Sequence, residues 1–151
     1  MNDDDLLTSW ICTALMRIGT RMATGFDQHF AGLGLNQSQF RILLAIYEMG
    51  EQGVAPSTLA DHLLIERGTI SVLTNRMIEK GWLERAPGTS RRTFRLVLTE
   101  AGADLLQNAI PKAILLADRT LAEIPLEQLK QMRASLEVIE ERLRASEPEE
   151  V

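Results

Sequence analysis

The sequence predicts a mainly α-helical chain carrying one small β-hairpin: a winged helix-turn-helix with long helices before and after it. Three observations predict this class. Within 56–99, two short amphipathic runs stand on either side of a break, Ile65-Glu66-Arg67-Gly68. Two β-prone segments follow, joined by the turn-forming run Ala86-Pro87-Gly88-Thr89-Ser90. Outside that stretch, apolar residues recur at helical spacing over 6–30 and again over 101–143.

The first run places Leu59, Ala60, Leu63 and Leu64 on one face. The second places Ile70, Leu73, Met77 and Ile78 on one face, a second buried stripe. The opposite face of this second helix, 67–80, holds Arg67, Thr69, Ser71, Thr74, Asn75 and Arg76, with no carboxylate between Glu66 and Glu79. Hydroxyls and amides reach base edges or phosphates, and arginines reach guanine or phosphate, so such a face suits a major groove. Gly81 can stop the helix. Trp82, Leu83 and Glu84 then begin an extended segment, and Thr93-Phe94-Arg95-Leu96-Val97-Leu98 returns as its partner. Arg91 and Arg92 lie at the hairpin tip, with Arg95 following. A basic hairpin of this kind can enter a narrow, negative minor groove.

These residues carry a resemblance. Leu59-Ala60, Gly81-Trp82-Leu83-Glu84-Arg85 and Leu98-Thr99-Glu100-Ala101-Gly102 occur in the order and spacing found in the MarR (multiple-antibiotic-resistance regulator) family of winged-helix transcription factors. At the wing tip the family's Asp-x-Arg is replaced by Ser90-Arg91-Arg92, the loop before it is one residue short, and the family's frequent Ser at position 68 is Gly68. The resemblance implies a dimeric regulator, a repressor, that binds double-stranded DNA at a pseudo-palindromic operator. It implies helix 67–80 in the major groove, wing 85–98 in the minor groove, and contacts from Arg67, Thr69, Ser71, Thr74, Asn75, Arg76, Arg91, Arg92 and Arg95. It further implies a small aromatic or lipophilic effector where the dimer helices meet the winged domain; the resemblance does not name its contacts, and Phe26, Phe30, Arg41 and Tyr47 are the candidates taken from this sequence. Read this way, 1–151 is a single winged-helix regulator domain: 36–99 binds DNA, 6–32 and 101–144 dimerise, and 146–151 is an acidic tail.

Composition bounds the alternatives. A chain of 151 residues with 45% hydrophobic composition can bury a proper core. The net charge of −5 is unexpected for a DNA binder, but it is segregated: 56–99 holds seven Lys or Arg and four acids, a local +3, which leaves −8 for the remainder. One cysteine excludes an internal disulfide and suits a reducing cytosol, so a cytoplasmic protein is expected. Neither a basic leader nor a membrane-length apolar run is read. His29 and His62 lack ligand-spaced partners, and no nucleophile–base pair or phosphate loop is present, so no metal, cofactor or enzyme activity is expected.

The flanking segments complete the reading. Met1–Asp5 reads as an acidic, frayed start, with Asp3, Asp4 and Asp5 favourably facing a helix N-terminus. Leu6, Leu7, Trp10, Ile11, Ala14, Leu15, Ile18, Met22, Phe26 and Phe30 then follow helical spacing, more apolar face than one small domain hides. Asn36 with Gln39 reads as a capping box, Phe40, Leu43, Leu44, Ile46 and Tyr47 as a buried helix face, and Pro56 as the first turn of the next helix. After the wing, Thr99 reads as an N-cap and Pro111 as a kink or local split in the helix that follows. Leu126, Leu129, Met132, Leu136, Ile139 and Leu143 form a last stripe. The surplus on the first and last helices points to a homodimer. Cys12 reads as a small residue buried on the apolar face; the alternative is a thiol-based redox sensor, since Ile11-Cys12-Thr13-Ala14-Leu15 resembles the peroxide-sensing branch of the family. A protein-interaction module that uses the winged fold without DNA is the remaining alternative.

Overall fold

The structure is a computed structural model that describes residues 2–146. The expected acidic tail therefore lies, apart from Ser146, outside the described residues. The elements run α1 (Asp3–Phe30), a single 3-10 turn (Ala31–Leu33), α2 (Gln37–Met49), α3 (Pro56–Leu63), α4 (Arg67–Glu79), β1 (Leu83–Pro87), β2 (Phe94–Leu98), α5 (Glu100–Thr120) and α6 (Leu126–Ala145). The chain divides after Leu116 into two compact units.

In the first unit, the expected frayed start is instead a closed cap. The Asn2 side chain accepts from the Asp5 backbone N–H at 2.8 Å, and the Asp5 carboxylate accepts from the Asn2 N–H at 3.2 Å. Three aspartates in the first turn also complement the helix dipole. Asn36 and Gln39 make the same reciprocal pair at the start of α2, as the sequence indicates. Asp27 of α1 accepts from the Gln37 backbone N–H at 2.7 Å, which fastens α1 to α2.

The core lies within the winged helix, closed by Phe30 at the end of α1 and by Leu106 and Ala109 of α5. Phe30, Ile42, Leu43, Ile46, Leu59, Ile70, Met77, Leu83, Leu96 and Leu106 are fully buried. Leu64 does not join them. It ends α3 in the left-handed conformation at φ 54°, which turns its side chain outward, and it is 80% exposed. Tyr47 also departs from the expected buried face of α2 and is 62% exposed.

β1 and β2 pair antiparallel with Leu83 opposite Leu98 and Arg85 opposite Leu96. A third extended segment joins them. Val54 donates to the Leu96 carbonyl at 2.9 Å and accepts from the Leu96 N–H at 2.8 Å, so β2 is the middle of a short three-stranded ribbon. The segment just before α3 thus tethers the wing.

The junction after the wing is close-packed. Thr99 caps α5, accepting from the Gly102 N–H at 3.1 Å while its hydroxyl donates to the Gly81 carbonyl. A Cβ on Gly102 would lie 2.0 Å from the Trp82 carbonyl oxygen, so only glycine lets α5 approach the base of β1. Pro111 leaves α5 unsplit, as a single helix from Glu100 to Thr120. In the second unit, α6 has no buried residue, and its exposed apolar side chains include Leu126, Met132, Leu136 and Leu143.

Gly102→Ala is expected to destabilise the protein by about 2 kcal/mol or more, because the displaced atoms are backbone and cannot yield without moving a helix. Urea unfolding followed by tryptophan fluorescence checks it, and an unchanged midpoint would show that the junction yields freely.

Candidate nucleic-acid interface

α4 separates into two faces. Ile70, Leu73, Thr74, Met77 and Ile78 face the core, whereas Gly68, Ser71, Val72, Asn75, Arg76 and Glu79 form an exposed stripe spaced by three and four residues. Arg67 and Thr69 flank the stripe at the helix start, and both are exposed. Arg67 lies 3.8 Å from Asp61 in a solvent-exposed ion pair, which holds the guanidinium only loosely.

Thr74 is the correction to the sequence-based face. It is 4% exposed, and its hydroxyl donates to the Ile70 carbonyl at 2.8 Å. This back-bonding satisfies the hydroxyl inside the packed face, where it cannot reach outward. Val72, passed over in sequence because it is apolar, is 52% exposed in the middle of the polar stripe. Its spacing from Gly68, Ser71 and Asn75 was the available signal. A branched methyl pair at that point can pack on a thymine methyl.

The wing tip is a tight turn rather than an open loop. Thr93 organises it: the Ser90 N–H donates to the Thr93 hydroxyl at 3.0 Å, and the Thr93 hydroxyl and N–H each donate to the Ser90 carbonyl at 3.2 Å. The Arg92 N–H donates to the Ser90 hydroxyl at 3.4 Å. Ser90 therefore supplies a local oxygen acceptor within the turn. Arg91 and Arg92 occupy the two central positions of this turn and are exposed. Arg95 lies further back. It is half-buried and lines an open crevice of about 440 Å³ with Ser57 and Thr58, in the first turn of α3.

Wing and helix are joined through Arg85. Its guanidinium donates to the Asn75 side-chain oxygen at 2.8 Å and stacks over the Phe94 ring at 4.9 Å. Asn75, expected as a free contact, is thus already engaged on one side.

The proposed effector residues divide. Phe26 and Arg41 line a cavity of about 350 Å³ with Gly19, Met22, Ala23, Gln37 and Phe40. Phe30 is fully buried behind this wall, with its ring 4.8 Å from that of Phe40, and Tyr47 does not line it. Arg41 also donates to the Leu63 carbonyl at 2.9 Å, which connects the cavity wall to the end of α3. Cys12, expected as a buried residue, is exposed on α1.

A helix-turn-helix whose second helix presents a polar stripe, flanked by an arginine-tipped hairpin tethered to the same core, defines the winged-helix class. Residues 33–93 match the sequence profile of the MarR family. The HTH-type transcriptional repressor YetL of Bacillus subtilis is 26% identical over 99 residues, 65% of this chain and 59% of YetL. The HTH-type transcriptional regulator PecS of Dickeya dadantii is 24% identical over 93% of this chain and 86% of its own length. Among solved structures, a MarR-family regulator from Rhodococcus sp. RHA1 superposes with a TM-score of 0.80 at 24% identity, over 88% of this chain and 94% of that one. MepR of S. aureus, solved with DNA, gives 0.77 at 19% identity over 86% and 94%. CouR of Rhodococcus jostii RHA1, solved with p-coumaroyl-CoA, gives 0.77 at 23% over 93% and 94%. The match thus spans about three fifths of YetL, while the fold likeness extends over most of the chain. No helix among the described residues is long and apolar enough to cross a membrane.

Thr93→Val removes the hydroxyl that closes the wing tip. The expected result is faster hydrogen exchange at the Ser90 amide, by roughly fivefold to tenfold for the loss of about 1 kcal/mol, with the global unfolding midpoint little changed. Unchanged exchange at Ser90 would mean that the turn does not depend on Thr93.

Proposed function

We propose that the protein is a homodimeric, ligand-responsive transcriptional repressor of the cytoplasm. In this reading, 36–99 binds DNA and 6–32 and 101–144 supply the dimer helices. The observation that carries the reading is the carboxylate-poor stripe Gly68, Ser71, Val72, Asn75 and Arg76 on α4, set beside the arginine-tipped wing. Each protomer inserts α4 into a major groove and the wing tip into the adjacent minor groove. Arg67, Thr69, Ser71, Asn75 and Arg76 approach bases and phosphates, Val72 meets a methyl, and Thr74 serves the core. Arg92 enters the minor groove. Arg91 and Arg95 meet phosphate, Arg95 with the first turn of α3 as a neighbouring donor set. Repressor action rests on the likeness to the repressor YetL over part of its length, transcriptional regulation on the likeness to PecS, and DNA binding on the likeness to MepR.

The dimer accounts for surface that one copy leaves in water. Leu6, Leu7, Trp10, Ile11, Ile18 and Met22 are exposed on α1, with Trp10 60% exposed. A second copy pairing through a two-fold axis buries such a face and sets the spacing of the two α4 helices. The effector enters the cavity at Phe26 and Arg41, an apolar recess with one guanidinium, which suits an aromatic anion. Such a molecule competes with the Leu63 carbonyl for Arg41. It therefore shifts the population away from the DNA-binding spacing only insofar as it prefers the other state.

Two measurements test the reading. Sedimentation at micromolar concentration is expected to give a dimer, and Trp10→Glu a folded monomer or a much weaker dimer; a monomeric wild type would remove the dimer. Titration of a selected operator at several salt concentrations tests the wing. Arg91→Ala is expected to weaken binding to all sequences and reduce the log–log salt slope by roughly one unit. Arg92→Ala is expected to weaken binding by about 1–3 kcal/mol and relax preference for A·T-rich flanks. Wild-type affinity in both variants would take the wing out of the mechanism.

A further inference from the structure

Asn75 stands on the exposed stripe of α4, and its side-chain oxygen accepts from Arg85 on β1. A guanidinium has donors only, so chemistry fixes which end of the Asn75 amide faces the wing: the oxygen. The NH₂ group is turned away from Arg85. Arg85 is itself held. Its guanidinium stacks on Phe94, and Phe94 packs against the core cluster. Its backbone is fixed opposite Leu96, the fully buried centre of the ribbon. The amide of Asn75 is therefore oriented before any partner arrives.

An unconstrained asparagine pairs with adenine through both ends, accepting from N6 and donating to N7. Here the accepting end has a cation beside it, and an incoming amino group would have to approach that cation. The donating end has no such conflict. We propose that Arg85 makes Asn75 a one-way donor, so that the pair selects guanine, with its N7 and O6 acceptors, over adenine at one major-groove position of each half-site. Arg85 is a positioning residue in this arrangement; Asn75 makes the contact. The inference rests on the proposed placement of α4 in the major groove.

Selection from a randomised duplex pool by full-length protein tests it. Wild type is expected to enrich guanine at one position per half-site, by at least about fivefold over adenine. Asn75→Asp keeps the acceptor toward Arg85 and loses the outward donor. It is expected to abolish the guanine preference at that position alone. Arg85→Met keeps an apolar stem on Phe94 and frees the Asn75 oxygen; it is expected to move the preference at that position to adenine. Arg85→Lys, which retains a charge without the planar fork, guards against a folding failure of the methionine variant and is expected to narrow the guanine-to-adenine ratio. A wild-type base profile in both Arg85 variants overturns the inference, as does an Asn75→Asp profile matching wild type. A wild-type protein that enriches no duplex overturns the DNA-binding reading as well, and is told apart from the first two by its flat profile.

Discussion

The winged domain depends on the double backbone pairing between Leu96 and Val54. Two hydrogen bonds of 2.9 and 2.8 Å, shielded by a fully buried leucine, attach the middle strand to the segment that leads into α3. A free two-stranded hairpin is marginal in water. Here the third partner turns the hairpin into part of the core. From that attachment, Arg85 falls opposite Leu96 and beside α4, and Arg95 falls beside the first turn of α3. The surfaces proposed to meet DNA are thus mutually fixed by one short ribbon.

Much of this was legible in the sequence, because it depends on local chemistry. Asn36 and Gln39 announce a helix start whatever surrounds them, and Pro56, Gly81 and Thr99 punctuate the chain as their backbone preferences require. The two buried stripes of the helix-turn-helix follow from helical spacing. What sequence missed depends on the environment. Thr74 was placed among contacts because threonine is polar; its hydroxyl can be satisfied by the preceding turn, and that option is invisible in a residue type. Leu64 sat on the apolar stripe only if α3 continued for one more residue. The left-handed cap rotated it into water instead. Val54 pairs with a residue far along the chain, and no short-range pattern signals that pairing. Tyr47 and Phe30 exchanged fates for a related reason: periodicity identifies a face but not the depth to which each position sinks.

Charge distribution follows the same division of labour. The excess of acid lies outside 56–99, and the basic residues cluster where phosphate would approach. At ordinary ionic strength, charges separated by more than about 8–10 Å are largely screened. An acidic remainder is therefore compatible with a locally attractive face, and it also disfavours indiscriminate adhesion to polyanions through the rest of the surface.

The closed turn at the wing tip bears on how fast and how tightly a groove can be engaged. A loose basic loop loses conformational freedom when it enters a groove, and that loss subtracts from the binding free energy. The turn between Ser90 and Thr93 is already closed by hydrogen bonds of its own. Only the two arginine side chains remain to be ordered on arrival. On the proposed reading the finger is a preformed probe: an encounter in the correct orientation would lead to docking without a folding step, and a mismatched groove could not be accommodated by reshaping the loop.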